Sequence, residues 1–183
     1  MRLVRRPWIW LARFRHRRGY GVHSPFAYAF LRGVILERTP YYPYVGLAHL
    51  HPWWVRWSRS YPITCRRMLF RLANYVHPRT IAVIGDRPIE QAYLQAAVPS
   101  AQLTQQQGDF IFVAHNALLH FTLPQMPTSG MVVAEGIHHD ATALAAWKRI
   151  KDNPQTAVTF DLYDYGIALF DHSVHKQHYK VNF

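Results

Sequence analysis

The fold of this chain is decided by the stretch Thr80-Ile81-Ala82-Val83-Ile84-Gly85-Asp86-Arg87-Pro88-Ile89-Glu90. Its apolar first half predicts a buried strand, Gly85 predicts a turn, and Pro88 predicts the first residues of a helix. This order opens α/β folds in which backbone N–H groups at the start of the helix bind a ligand. Such a turn ordinarily contains several glycines, because the backbone must approach the ligand closely. Here Gly85 is alone, so the pattern favours the fold but argues against its usual chemistry.

The composition indicates a basic globular protein. Half of the 183 residues are apolar and 15% are aromatic, which is enough for a core. The chain has 21 Lys and Arg against 10 Asp and Glu, a net charge of +11. Such a charge is typical of a protein that meets an acidic partner, although it can also serve only solubility. The single cysteine, Cys65, excludes an intrachain disulfide, and no apolar run approaches the roughly 20 residues of a membrane span. We therefore expect a cytoplasmic protein without a transmembrane segment.

The N-terminal part, residues 1–78, is predicted to be a basic arm and a helical extension that packs on an α/β core, residues 79–183. Ser24 and Pro25 predict a helix start, and the helix is expected to end near Arg38. A second helix is predicted over residues 63–77. Its apolar residues should face inward, and its arginines Arg66, Arg67 and Arg71 should not.

The arm is the predicted binding site for an anionic partner. Aromatic residues such as Trp8 and Trp10 alternate with arginines, a mixture that suits nucleic-acid phosphates and the headgroups of an anionic membrane. The alternative is an arm packed by its tryptophans, with the arginines in solvent. The candidate binding residues are Arg5, Arg6, Arg13, Arg15, Arg17 and Arg18.

The core pattern alternates strands and helices and then gives two strands of an antiparallel hairpin, 157–163 and 166–170. This order predicts an α/β fold with a mostly parallel sheet. The other predicted strands are 81–84, 109–114, 131–134 and 179–183, and the predicted helices are 89–97, 117–125 and 140–151.

The chain resembles the class I S-adenosylmethionine (SAM)-dependent methyltransferases, and within them a family of bacterial methyltransferase-like proteins. The resemblance implies a Rossmann-like methyltransferase fold and SAM as the cofactor of an active member. It rests on Arg17-Arg18-Gly19-Tyr20-Gly21-Val22-His23-Ser24-Pro25-Phe26, Leu69-Phe70-Arg71-Leu72-Ala73-Asn74-Tyr75, Glu135-Gly136-Ile137-His138, Val158-Thr159-Phe160-Asp161-Leu162-Tyr163-Asp164-Tyr165-Gly166-Ile167 and Lys176-Gln177-His178-Tyr179.

The cofactor motif of that family is degenerate in this chain. In the family the first strand ends in an acidic residue followed by three alternate glycines. Here the acidic position is Val83, and the glycine positions are Gly85, Arg87 and Ile89. The second strand of the family also ends in an acidic residue that binds the ribose, where this chain has Gln105. These departures predict that SAM is not bound.

An internal deletion precedes Asp109. Only three residues separate Gln105 from Asp109, where the family has a helix, a strand and another helix. Because parallel strands need a long connection, we expect that residues 101–104 are not a parallel strand leading to Asp109, and that the sheet is truncated at this edge.

Polar residues that follow the strands are the candidates for chemistry. If the protein is an enzyme, Gly85 and Asp86 would meet the cofactor, and His138, Glu135 or His115 would act as the base. The cluster from Glu135 to Asp140 could also supply metal ligands. We instead expect Asp140 to cap the next helix, and we predict no metal site.

Three functions therefore remain open. The favoured one is a catalytically inactive methyltransferase-like protein that serves as a binding or scaffold module. The alternatives are an active SAM-dependent methyltransferase with atypical cofactor contacts, and a basic adaptor for nucleic acid or an anionic membrane. The exposed edge of a truncated sheet also invites a homodimer.

Overall fold

The computed structural model describes residues 21–52, 61–171 and 173–183. The arm that carries the candidate anion-binding arginines, Arg5, Arg6, Arg13, Arg15, Arg17 and Arg18, lies outside the described residues, so their role stays a prediction. The six residues of the first landmark that follow Tyr20, residues 21–26, lie within the described residues.

The N-terminal extension is helical. Helix α1 spans Pro25–Phe30, continues as one π-helical turn over Leu31–Ile35, and is followed by α2, Pro43–Leu47, with a 3₁₀ turn over Ala48–Leu50. Helix α3 spans Tyr61–Val76. Ser24 caps α1 as predicted, since its Oγ accepts a hydrogen bond from the backbone N–H of Ala27 at 3.3 Å. The helical path ends at Ile35, earlier than the predicted Arg38.

The core alternates strands and helices. Strands β1, Thr80–Ile84, and β2, Gln102–Thr104, are joined by helix α4, Pro88–Ala97. The remaining elements are β3, Phe110–Val113; α5, His115–Leu118; β4, Met131–Glu135; α6, Ala141–Asp152; β5, Val158–Asp161; β6, Tyr165–Leu169; and β7, Gln177–Lys180. Helix α5 begins two residues before the predicted 117–125 and is shorter, and β7 begins before the predicted 179–183.

These strands form one seven-stranded sheet in the order β2-β1-β3-β4-β6-β5-β7. Strands β1 to β4 are parallel neighbours, whereas β6 is antiparallel to both β4 and β5. The hairpin of β5 and β6 therefore enters the sheet with β6 beside β4. The protein has an α/β fold with a mostly parallel sheet and an antiparallel hairpin, as predicted.

Both faces of the sheet are covered by helices. Alternate residues of a strand point to opposite faces, and in β3 Phe110 and Phe112 pack with α1, α3 and α4, while Ile111 and Val113 pack with α6. The ring of Phe30 in α1 lies 5.4 Å from that of Phe160 in β5. The carboxyl ends of β1, β3 and β4 therefore meet at one edge of the sheet, whose central strands are buried.

The prediction that residues 101–104 do not form a parallel strand leading to Asp109 is wrong. Strand β2 pairs in parallel with β1, and only the five residues 105–109 join it to β3 on the other side of β1. The connection is short because β2 has three residues, and it passes directly against the β1 backbone. A Cβ at Gly108 would lie 3.0 Å from the carbonyl oxygen of Thr80 and 3.1 Å from the nitrogen of Ala82.

Two arginines of α3 are also placed differently from the prediction. Arg71 is 4% exposed and donates hydrogen bonds to the carbonyl oxygens of Val34 at 2.7 Å and Ile35 at 2.8 Å. Arg66 donates to the buried carboxylate of Glu90 in α4 at 2.8 Å. The end of a helix leaves carbonyl groups without intrahelical partners. Arg71 satisfies two of them for the π-helical turn, so it belongs to the core.

Candidate functional site

The candidate site lies at the carboxyl ends of three parallel strands, where ligand sites of open α/β sheets form. Gly85 and Asp86 follow β1, His115 lies just beyond β3, and Glu135 ends β4. Because the sheet order places β3 between β1 and β4, the structure brings these predicted residues to one edge of the sheet.

Gly85, the single glycine of the first turn, is required by the backbone conformation and by close contacts within the protein. Gly85 has φ of +102°, a conformation that side chains rarely adopt. A Cβ at this position would lie 2.6 Å from Cβ of Ala114 and 3.0 Å from Oδ1 of Asn116. The space that a glycine ordinarily leaves for a ligand is therefore filled by the segment that follows β3.

Arg87 and Glu135 form an ion pair across the end of β3. Nε and Nη2 of Arg87 lie 3.0 Å and 2.9 Å from Oε2 of Glu135, and Nη1 donates to the backbone oxygen of Asp86 at 2.9 Å. The two side chains are 31% and 22% exposed. The sequence drew attention to both residues but did not predict that they pair, because they are 48 positions apart. The available signal was that each residue lies at or just after the carboxyl end of a predicted strand.

The same oxygen of Glu135 also holds the start of α5. It accepts a hydrogen bond from the backbone N–H of His115 at 3.2 Å. Oε2 thus interacts with a guanidinium and with a backbone amide. In this arrangement Glu135 joins three strand ends. Its predicted role as a base stays a prediction.

His138 is held by the hairpin rather than by the other candidates. Its Nε2 lies 2.8 Å from Oδ2 of Asp161 in β5, and its ring stacks on Tyr163 with centroids 5.0 Å apart. Oδ1 of Asp161 accepts a hydrogen bond from the backbone N–H of Tyr163 at 2.9 Å. Tyr163 itself has φ of +75°, uncommon for a residue with a side chain. The structure thus places a carboxylate beside the imidazole of His138, whose predicted role as a base stays a prediction.

Asp140 caps α6 as predicted. Its Oδ1 accepts hydrogen bonds from the backbone N–H of Ala143 at 2.8 Å and from the hydroxyl of Thr142. The hydrogen bond from Thr142 lowers the pKa of Asp140 below its usual value, and the hydrogen bond from Ala143 adds a smaller effect in the same direction. Because the cap uses Oδ1, the second oxygen of the carboxylate is available to other groups.

Two histidines approach that second oxygen. Nδ1 of His139 lies 2.9 Å from Oδ2 of Asp140, and Nε2 of His115 lies 3.7 Å from it. The two imidazole rings are 3.9 Å apart between centroids. Sequence reasoning included His139 in the polar cluster but did not select it as a site residue. The proximity of its ring to that of His115 follows from the neighbouring ends of β3 and β4.

The end of β2 carries no acidic group for a ribose. Thr104 is its last residue, and the Thr104 hydroxyl donates a hydrogen bond to the backbone oxygen of Gln107. Gln105, the position at which the resemblance implies an acidic residue, is exposed.

Comparisons with known proteins give a weak match to a solved structure and no family. No protein-family model matches the chain, and no curated protein matches it. Among solved structures, the chain matches cofactor-bound Rv0187 from MTB with a TM-score of 0.41 and 13% identity, over 80% of this chain and 97% of that chain. None of the helices in the described ranges is long and apolar enough to cross a membrane.

Proposed function

We propose that this protein is a class I methyltransferase-like protein that does not bind SAM and that acts as a binding or scaffold module. The element order supports the relationship: helices come first, strands and helices then alternate, and an antiparallel hairpin follows. The main support for the absence of SAM binding is the ion pair between Arg87 and Glu135, which crosses the strand ends.

The ion pair opposes SAM for an electrostatic and a steric reason. The sulfonium of SAM is positively charged, and the guanidinium of Arg87 places another positive charge at the turn after β1. Glu135, the acidic side chain that could offset a cation at this edge, is already bound by Arg87 at 2.9 Å. Displacing Arg87 would leave two partly buried charges unpaired, which costs free energy that binding would have to supply.

The first turn and the second strand support the same conclusion. Ala114 occupies the space beside Gly85 that a glycine-rich turn would leave for the ligand. The end of β2 offers Thr104 and Gln105 where the resemblance implies an acidic residue, and five residues replace the helix, strand and helix that follow in the family. The substitutions and the deletion therefore affect the same half of the sheet.

Thermal unfolding with SAM and S-adenosylhomocysteine tests the proposal. A ligand at one hundred times its Kd stabilises a protein by about 2.7 kcal/mol, which gives a clear rise in Tm. We expect no rise at millimolar concentrations of either compound. A saturable rise that is lost in Gly85→Val would overturn the proposal, because it would place the cofactor at this turn. A methyltransferase that binds SAM, tested in parallel, is the positive control.

The module is proposed to bind an anionic partner through the N-terminal arm. The first 20 residues contain seven arginines and no acidic residue, out of the 21 Lys and Arg of the whole chain. Their alternation with aromatic residues favours contact with a phosphate-bearing surface, since arginine binds phosphate in a forked geometry and aromatic rings bind bases or lipid. The partner class is a nucleic acid or an anionic membrane, and a cytoplasmic location fits both.

Binding to single-stranded RNA, duplex DNA and anionic vesicles should distinguish these partners. We expect one of them to bind the full chain with an affinity that falls steeply as salt rises, because cation release drives such binding. Deletion of residues 1–18 should abolish it. As a matched control, Arg149→Ala removes a cation of α6 whose guanidinium donates to the carbonyl of Leu119, and it should not change the salt dependence. Binding that does not depend on salt or on the arm would contradict this assignment.

A homodimer is a further proposal about the assembly. Strand β2 lies at the edge of the sheet, where no other strand of the described residues pairs with its outer side, and its Leu103 is 44% exposed. Exposed strand edges can pair with a second copy. Sedimentation of wild type and Leu103→Lys at matched concentrations tests the idea, and a monomeric wild type would contradict it.

A further inference from the structure

We propose that His115, His139 and Asp140 form a binding site for a divalent transition-metal ion, with Zn²⁺ as the expected ion. This site is independent of the proposed function, because none of its three ligands belongs to the arm or to the ion pair at Glu135. Of the described residues with His, Cys, Asp or Glu side chains, these three place their ligand atoms within 4.8 Å of one another.

The distances match those of a tetrahedral metal site. Zinc binds imidazole nitrogen and carboxylate oxygen at about 2.1 Å, so two ligands of a tetrahedral ion lie about 3.4 Å apart. The two distances from Oδ2 of Asp140, 2.9 Å to His139 and 3.7 Å to His115, lie on either side of that value. Small rotations of the side chains would bring both nitrogens to bonding distance of one ion.

The ligand atoms are available without the loss of the helix cap, although the ion would replace the hydrogen bond between Nδ1 of His139 and Oδ2 of Asp140. The helix cap of α6 uses Oδ1 of Asp140, which leaves Oδ2 for the ion. The side chain of His115 makes no hydrogen bond within the described residues: Nδ1 is buried without a partner, and Nε2 is too far from Asp140 at 3.7 Å. The buried Nδ1 is thus an unpaired polar atom, and Nε2 of the same ring, which makes no hydrogen bond within the described residues, is left open to an ion.

The ligand types select the metal. Two imidazoles and one carboxylate suit Zn²⁺ and its transition-metal neighbours, whereas Mg²⁺ and Ca²⁺ prefer oxygen ligands. The side chains of His115, His139 and Asp140 are 28%, 36% and 42% exposed, so an ion can enter from solvent and can keep a water or an external ligand. Three protein ligands and an open position form the pattern of an accessible zinc site.

The ion would join two segments of the edge. His115 begins α5 after β3, whereas His139 and Asp140 end the loop between β4 and α6. The backbone N–H of His115 already donates a hydrogen bond to Glu135 at the end of β4, and the His115 ring lies 3.9 Å from the ring of His139. Metal binding would add a stronger connection between the two segments, and it should stabilise the fold by an amount that grows with the logarithm of the free Zn²⁺ concentration above its Kd.

Competition of the full-length protein with a chromophoric chelator measures the affinity for Zn²⁺. We expect one ion per chain at this site, and a Kd raised tenfold or more by His139→Asn, whose exposed position limits the effect on folding. Asp140→Asn should also weaken binding but keep the helix cap, because Asn caps helices as well as Asp does. Co²⁺ should give visible absorption bands with wild type that both variants lose.

His120→Asn is the matched control, because His120 is an exposed histidine outside the cluster. It should leave the Zn²⁺ affinity and the Co²⁺ spectrum unchanged. The proposal is overturned if wild type and His139→Asn bind Zn²⁺ equally well. It is also overturned if His120→Asn weakens binding as much as His139→Asn does, since that result indicates adventitious binding to surface histidines. Equal Tm values of the unloaded variants would exclude misfolding as the cause.

Discussion

The guanidinium of Arg87 binds the carboxylate of Glu135 with two nitrogens, at 2.9 and 3.0 Å, although the two residues follow strands that are not adjacent in the sheet. The pair crosses the end of β3. It therefore closes the edge at which a ligand of this fold would be expected, and its energy can be measured.

Arg87→Ala should lower the free energy of unfolding by about 1 kcal/mol. The value is modest because both side chains are partly exposed and water screens their attraction. Urea denaturation of Arg87→Ala, Glu135→Gln and the double variant forms a double-mutant cycle. We expect a coupling energy of roughly 0.5–1.5 kcal/mol, and additive effects would show that the pair contributes nothing to stability.

Arg71→Met should destabilise the protein by roughly 2–4 kcal/mol. The substitution keeps the apolar stem but leaves the carbonyl groups of Val34 and Ile35 buried without their donor. Arg67→Met is the matched control on the same helix, since Arg67 is exposed and lies over the ring of Tyr44 at 4.9 Å. That contact is worth only about 0.5–1 kcal/mol. Equal losses in urea denaturation would contradict the structural role of Arg71.

Gly108→Ala should destabilise the protein by roughly 1–3 kcal/mol, because the new Cβ would push against the backbone of β1 at Thr80 and Ala82. Gly46→Ala provides the comparison. A Cβ at Gly46 has no neighbour within 4 Å, and alanine favours the helical conformation of α2. We expect this second variant to be neutral or slightly more stable in thermal unfolding. A neutral Gly108→Ala would show that the connection 105–109 can move away from β1.

His178 should contribute to the pH dependence of stability. Partial desolvation on β7, followed by the charges of Lys151 and Lys176, lowers its pKa below 6.5, and Asp152 opposes the shift. The unfolded chain therefore binds a proton more readily than the folded one near that pH. The stabilising contribution is complete above pH 6.5 and is lost as the pH falls through the lowered pKa.

His178→Gln tests this dependence by urea denaturation between pH 5 and 8. The loss of stability at acid pH should be smaller in the variant than in wild type. The exposed His175 offers the control His175→Gln, in which the wild-type slope should persist. A steeper acid loss in His178→Gln would give the opposite sign and refute the prediction. The hydrogen bond between Thr159 and Nδ1 of His178, at 2.8 Å, indicates that glutamine should keep a polar partner there.

The sequence predicts those parts of the fold that depend on local patterns. Continuous apolar runs predicted β1, β3 and β4, and the caps Ser24 and Asp140 were found because capping requires only residues in the next turn. Strand β2 was missed as a parallel strand because we expected a long connection between parallel strands. That expectation holds for strands of ordinary length, whereas β2 has only three residues. The inward position of Arg71 was missed because a charge in a helical pattern ordinarily faces solvent, and its carbonyl partners lie 36 and 37 residues away.

The site was predicted less completely than the fold. Gly85, His115, Glu135 and His138 were selected because they follow predicted strands, and the sheet order brings them to one edge. Which side chains pair there depends on the tertiary structure. His138 pairs with Asp161 of the hairpin, and Glu135 pairs with Arg87. Neither partner could be selected without the register of the strands.

The short connection through Gly108 has a consequence for how the sheet opens. Strand β1 is paired on one side with β2 and on the other with β3, and the chain between those two strands rests against its backbone. We therefore expect that the edge strand does not fray by itself, since its release would move the start of β3. Amide hydrogen exchange in β1, β2 and β3 should report a single cooperative opening, which makes the shortened side of this sheet one folding unit.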